Sequence, residues 1–120
     1  MTDVPSDQRF AIDALGPLHG PDLDSDLIAA VLDGAGTFAA SEFAPLNRIG
    51  DTVGARWNDG TVTLPDGYRT AYDAYVAGGW GSLDAPEAFG GQGLGFALQT
   101  VVFEDLGTAN MAFTLLPILS

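Results

Sequence analysis

Cysteine and lysine are both missing from this chain, and histidine occurs once. Without cysteine there is no disulfide, no thiolate metal site and no cysteine nucleophile. Without lysine there is no Walker A loop, because that motif places a lysine on the nucleotide phosphates. The single His19 stands between Leu18 and Gly20-Pro21, with no second imidazole, thiol or acidic ligand at metal spacing. It reads as a surface residue. One histidine, and no Gly-x-Ser-x-Gly around any serine, leave no Ser/His/Asp arrangement. No catalytic residue and no metal ligand is therefore assigned. Positive charge is scarce too: four arginines face 16 Asp and Glu, for a net charge of −12. Such a surface repels phosphate backbones and anionic bilayers, so neither nucleic acid nor a membrane is an expected partner. The same acidity favours solubility. No uninterrupted apolar run is long enough to cross a bilayer, and the first nine residues are too polar for a signal peptide. A cytoplasmic location is the expectation that follows.

What the chain does have is apolar side chains, 47% of 120 residues. That is enough for one domain with one core, and too much for a disordered acidic tail. The stretch Pro86-Glu87-Ala88-Phe89-Gly90-Gly91-Gln92-Gly93-Leu94-Gly95 stands out by its four glycines in six residues. Glycine reaches φ > 0 and lets another surface come close. A helix starting just after it aims free N–H groups outward. A ligand, a cofactor or a tightly packed partner would all suit that geometry. Because no strand is predicted before it, the dinucleotide fingerprint fails its context test.

Around this loop the periodicity predicts a mainly α domain with one small hairpin. Residues 1–8 read as loose, and 10–15 as a short strap or single helical turn before Gly16-Pro17. Asp24-Ser25-Asp26 caps a helix whose apolar residues Leu27, Ile28, Val31, Leu32, Ala35, Phe38 and Ala39 recur at helical spacing. Gly34 and Gly36 offer close helix–helix contact. Pro45 is expected to end that helix near Phe43. Asn47 and Arg48 are expected to tie the next loop to helix ends. Residues 55–64 carry a hairpin signal centred on Asp59-Gly60, with Trp57 covering part of the core. A helix opened by Pro65-Asp66 buries Tyr68, Ala71, Tyr72, Tyr75 and Val76 and stops at Gly78-Gly79. Trp80 is expected beneath the glycine loop. Leu94, Leu98, Val101, Val102 and Leu106 give the following helix one apolar face. Glu104 and Asp105 are neighbours in sequence and point apart, so they are not an acid/base pair. Gly107 is expected to break that helix. Residues 108–119 are almost wholly apolar, with Pro117 kinking or ending the segment. A helix apolar all round needs cover on every side, so 111–119 is expected to pack on something outside this chain.

The loop at 86–94, followed by Phe103-Glu104-Asp105-Leu106-Gly107, resembles the N-terminal helical domain of the acyl-CoA dehydrogenase family. Members carry a Pro-Glu-x-aromatic-Gly-Gly-x-Gly-Leu loop, and then a helix ending in an acidic-acidic-Leu triplet. Phe43-Ala44-Pro45-Leu46-Asn47-Arg48-Ile49-Gly50-Asp51 is similar to the family's loop after its first long helix. Asn58-Asp59-Gly60, Gly78-Gly79-Trp80 and Ala109-Asn110-Met111-Ala112-Phe113 resemble the branch that includes methylmercaptopropionyl-CoA dehydrogenases. The resemblance runs from about Phe10 and covers only the first of the family's three domains. It implies residues 1–23 as an extension and 24–120 as the helical domain, without the middle β and C-terminal helical domains. It also implies an FAD enzyme that oxidises the Cα–Cβ bond of an acyl-CoA, with a glutamate base in the C-terminal domain. No flavin ligand and no base is carried over to this chain. The triplet places Thr114, Leu115 and Ile118 at acyl-pocket positions, with Met111 and Phe113 nearby; the other reading of these residues is domain-interface core. The implied partners are the acyl-CoA and the rest of the dehydrogenase, in a homo-oligomer, with the fragment alone inactive and free of FAD. The competing reading is a non-enzymatic acidic helical module that binds a partner through 111–119.

Overall fold

Aspartate 24 shows how directly the sequence sets the first long element. In the computed structural model, which describes the backbone at 4–19 and 23–119 and the side chains at 4–15 and 23–119, Asp24 Oδ1 accepts the N–H groups of Asp26 (2.8 Å) and Leu27 (3.2 Å). That cap starts helix α2 at Ser25–Phe38, and Ile28, Leu32 and Ala35 form its buried stripe. The helical path does not stop at Phe43. It widens into a π turn at Ala39–Phe43, tightens into a 3-10 turn at Ala44–Leu46, and continues as α3 at Asn47–Thr52. Ala44 keeps helical angles in front of Pro45, and its N–H reaches back to Ala39 O. The proline's missing N–H is absorbed by a change of hydrogen-bond step rather than by termination. By length and mean hydropathy the Ser25–Thr52 run meets the test for a bilayer-crossing helix, which the sequence did not lead us to expect. Core helices meet the same test, and Ile28, Leu32, Ala35, Ala39 and Phe43 are core here.

The N-terminal residues correct a second expectation. Residues 4–19 form a full helix, α1 (Val4–His19), that packs on α2 and on the last helix. Gln8 is buried in that contact, and Ile12 packs on the core's edge. Residues 1–3 and the side chain of His19 lie outside the described residues.

Strands β1 (Arg56–Asn58) and β2 (Thr61–Thr63) pair antiparallel, with Trp57 opposite Val62. Asp59 and Gly60 both take positive φ, as the expected primed turn requires. Trp57 does not cover the core: it is 74% exposed, because the hairpin stands off the helices with both faces open. Helix α4 (Tyr68–Ala77) buries Tyr68, Ala71 and Tyr75, while Tyr72 is half-buried and Val76 exposed. The N–H of Gly79 returns to Val76 O and that of Trp80 to Tyr75 O, with Gly79 at φ 73°. This is a Schellman stop. It sends the Trp80 ring onto Phe38 and against Gly34, rather than under the glycine loop.

Helix α5 (Phe96–Leu119) packs against α1, α2 and α3. Gly107 does not break it. The break comes three residues later, at Asn110, whose backbone leaves the helical region. Around this point the core is aromatic. The Phe43 and Phe113 rings meet edge-on at 4.6 Å between centroids, Tyr68 lies 4.6 Å from Phe113, and Phe38 lies 5.6 Å from Phe43. Edge-on and tilted pairs of this kind add to the burial of large rings.

Candidate functional site

Asn110 organises the end of α5. Its side-chain amide donates to Phe43 O at 3.2 Å. That carbonyl is available because the 3-10 turn sends the Asn47 N–H to Ala44 O instead. Asn110 Oδ1 accepts the Phe113 N–H at 3.1 Å, capping the final helical segment, and its carbonyl accepts the Thr114 hydroxyl at 2.8 Å. One buried side chain therefore joins the π turn to the last segment and fixes how that segment is rotated. The ties expected of Asn47 and Arg48 are made here, since both of those residues are exposed.

This rotation separates the residues singled out in the sequence. Phe113 and Pro117 face the core, and so does Thr114, which is 0% exposed. Met111 (59% exposed), Leu115 (48%) and Ile118 (43%) form one stripe on the opposite side, at i, i+4, i+7 spacing. Leu116 and Leu119 are exposed beside them. The segment presents an apolar face. A separate cleft of about 470 Å³ lies between the hairpin and α4, where Val62, Leu64, Tyr68, Tyr72, Phe113 and Leu116 meet. Of the residues that the resemblance placed at or near the acyl pocket, Phe113 lines this cleft, and Leu116 beside them does too.

The glycine loop is committed to packing. The N–H groups of residues 90 to 94 donate in turn to the carbonyls of Glu87, Pro86, Ser82, Ala85 and Leu83. A Cβ on Gly91 would collide with the Ala85 carbonyl. The buried amide of Gln99, which the sequence reading passed over, staples the loop's base: Oε1 accepts the Leu83 N–H at 3.0 Å and Nε2 donates to Trp80 O at 2.8 Å. A glutamine on the buried face of an apolar helix was the available signal. Gln92 Nε2 adds a bond to Gly79 O at 2.7 Å. Tyr75, buried beneath Gly81, has its phenol pushed up to about 12 by burial first and then by Tyr72 and Asp84. Among the described residues no three His, Cys, Asp or Glu gather at metal-binding distance.

The sequence profile of the acyl-CoA dehydrogenase N-terminal domain matches residues 29–120. The chain belongs to the acyl-CoA dehydrogenase family. The 3-methylmercaptopropionyl-CoA dehydrogenase of Ruegeria pomeroyi is 42% identical over 99 residues, which are 82% of this chain and 17% of that protein. The chain thus spans about a sixth of that relative's length. Acyl-CoA dehydrogenases are FAD-dependent oxidoreductases. The glycine loop's N–H groups at 90–94 all donate to carbonyls, leaving that loop no cradle for a pyrophosphate. In this acyl-CoA dehydrogenase domain, the loop with the family's glycines is a structural joint.

Proposed function

We propose that this chain is the N-terminal domain of an FAD-dependent acyl-CoA dehydrogenase, one that oxidises the Cα–Cβ bond of an acyl-CoA thioester. The extension covers 1–23 and the domain 24–120. Met111, Leu115 and Ile118 contribute part of the acyl pocket wall, with Thr114 backing them from the core side. The carrying observation is the apolar stripe on the segment capped by Asn110: three large side chains held at a fixed rotation and left half-open to solvent. The rest of the dehydrogenase covers that stripe, within a cytoplasmic homo-oligomer. The flavin, the base and the remaining pocket walls come from the other domains, so the isolated chain is colourless and inactive. Co-expression with the remaining domains, followed by acyl-CoA-dependent reduction of an artificial electron acceptor, tests this. The 3-methylmercaptopropionyl thioester is the first substrate to try, from the relative's name. Turnover only in the presence of this chain is the expected result. A chain that purifies alone with a flavin spectrum would refute the division of labour. The second reading, a non-enzymatic module using residues 111–119 to hold a partner, rests on the same stripe. It gains if the stripe is needed for association while acyl-CoA oxidation is never recovered.

A further inference from the structure

Helix α1 precedes the residues that match the family profile, and one buried polar contact holds it to α5. Gln8 is only 6% exposed, and its Nε2 donates to Asp105 Oδ1 at 2.6 Å and to Glu104 Oε1 at 3.3 Å. The other two oxygens of the bonded pair, Gln8 Oε1 and Asp105 Oδ2, are both buried and have no hydrogen-bond partner among the described residues. An amide carbonyl accepts only, and so does an ionised carboxylate. Two buried acceptors without a donor are costly. A single proton removes both faults, because a carboxylic acid and a primary amide close a ring through one N–H···O and one O–H···O bond. We propose that Asp105 holds a proton on Oδ2 and donates it to Gln8 Oε1, so that this ring latches α1 onto α5 and opens when the proton leaves.

The surroundings support the acid form. Burial pushes the Asp105 carboxyl above the ordinary aspartate range, the Gln8 hydrogen bond works the other way, and the Glu104 charge adds to the rise. The other described charged groups on the packed elements are Asp7, Arg9 and Asp13 on α1, Asp26 and Asp33 on α2, Glu42 in the π turn, and Arg48 and Asp51 on α3. Of the two cations among them, Arg9 is engaged elsewhere, with Asp13 at 2.9 Å and with the Ser25 carbonyl and hydroxyl, and neither it nor Arg48 acts on the Asp105 carboxyl. No described cation therefore stabilises the Asp105 anion. A carboxyl whose folded pKa is raised holds its proton more tightly in the folded chain. The latch then contributes fully below the ordinary aspartate pKa, and it is lost as pH rises through the folded value.

Carbon-detected NMR titration of the full chain reads the Asp105 carboxyl directly, and hydrogen exchange of the α1 amides reads the latch. The expected result is an Asp105 midpoint above the usual aspartate value. Alongside it, corrected α1 opening increases severalfold as pH rises from the ordinary aspartate value through that midpoint. Asp105→Asn replaces the acid with a permanent donor, so its α1 opening stays flat over the same range. An ordinary Asp105 midpoint would overturn the proposal, as would an Asp105→Asn chain whose α1 opens with pH as the native chain does.

Discussion

Asn110 shows how much one side chain can decide. It satisfies a carbonyl that the 3-10 turn left over, and it caps the segment on which the candidate site stands. Removing both bonds with Asn110→Ala leaves Phe43 O and the Phe113 N–H buried without partners, so we expect a loss of about 2–4 kcal/mol. Asn110→Ser keeps a capping oxygen but cannot reach Phe43, and its loss is expected to be about half as large. Urea denaturation midpoints of the two variants check the order; equal midpoints would mean that the Phe43 contact contributes nothing. Tyr75 supplies a second test. Its phenol is pushed up to about 12, so the folded chain keeps that proton where an unfolded tyrosine loses it. The contribution of Tyr75 is therefore complete below the ordinary tyrosine value near 10 and disappears as pH rises toward 12. Absorbance titration near 295 nm is expected to show a late component that Tyr75→Phe removes.

At the level of elements, the glycine loop separates two uses of the same residue. Gly90 adopts φ 85° with open space around its Cβ position, whereas Gly91 has an ordinary φ but faces the Ala85 carbonyl. Gly90→Ala then costs only backbone strain, about 1 kcal/mol. Gly91→Ala must displace the chain at Ala85 and is expected to cost about 2–3 kcal/mol, with the larger drop in melting temperature. The elements whose stripes are complete were legible in the sequence: α2 from its Asp24 cap and i, i+3, i+4 repeat, the hairpin from Asp59-Gly60, α4 from its tyrosines and the glycine stop. What was not legible depends on contacts made far away in sequence. Residues 4–8 look loose because their reason for being helical is Gln8 meeting Asp105, about a hundred residues on. Pro45 looks like a terminator because a local rule cannot foresee a π turn that absorbs it. Gly107 looks like the break in α5, yet the helix passes through it and yields at Asn110, where a buried carbonyl offers the amide a partner.

For the whole molecule, the question is why a chain of net charge −12 leaves an apolar face open. From the triplet at Glu104-Asp105-Leu106 the sequence singled out Thr114, Leu115 and Ile118 on this segment, with Met111 and Phe113 nearby. It could not tell which of them face outward, because that depends on the rotation that Asn110 sets. Thr114, one of the positions that the triplet placed at the pocket, spends its hydroxyl on the Asn110 carbonyl inside the core. The inward and outward sides of one helical turn therefore make opposite predictions. Phe113→Ala removes a ring packed against Phe43 and Tyr68 and is expected to cost about 3–5 kcal/mol, enough to unfold a domain of marginal stability. The double variant Leu115→Asp with Ile118→Asp changes side chains that the isolated chain leaves 48% and 43% exposed, so its stability is expected to change by only about 0.5 kcal/mol. Its effect belongs in the assembled dehydrogenase, where burying two carboxylates against an apolar partner is costly. There the variant is expected to lose acyl-CoA oxidation or assembly while the isolated chain still folds. If the double variant unfolds as Phe113→Ala does, the stripe is core rather than surface. If it folds and the assembled enzyme keeps full activity, residues 111–118 are no part of the pocket wall.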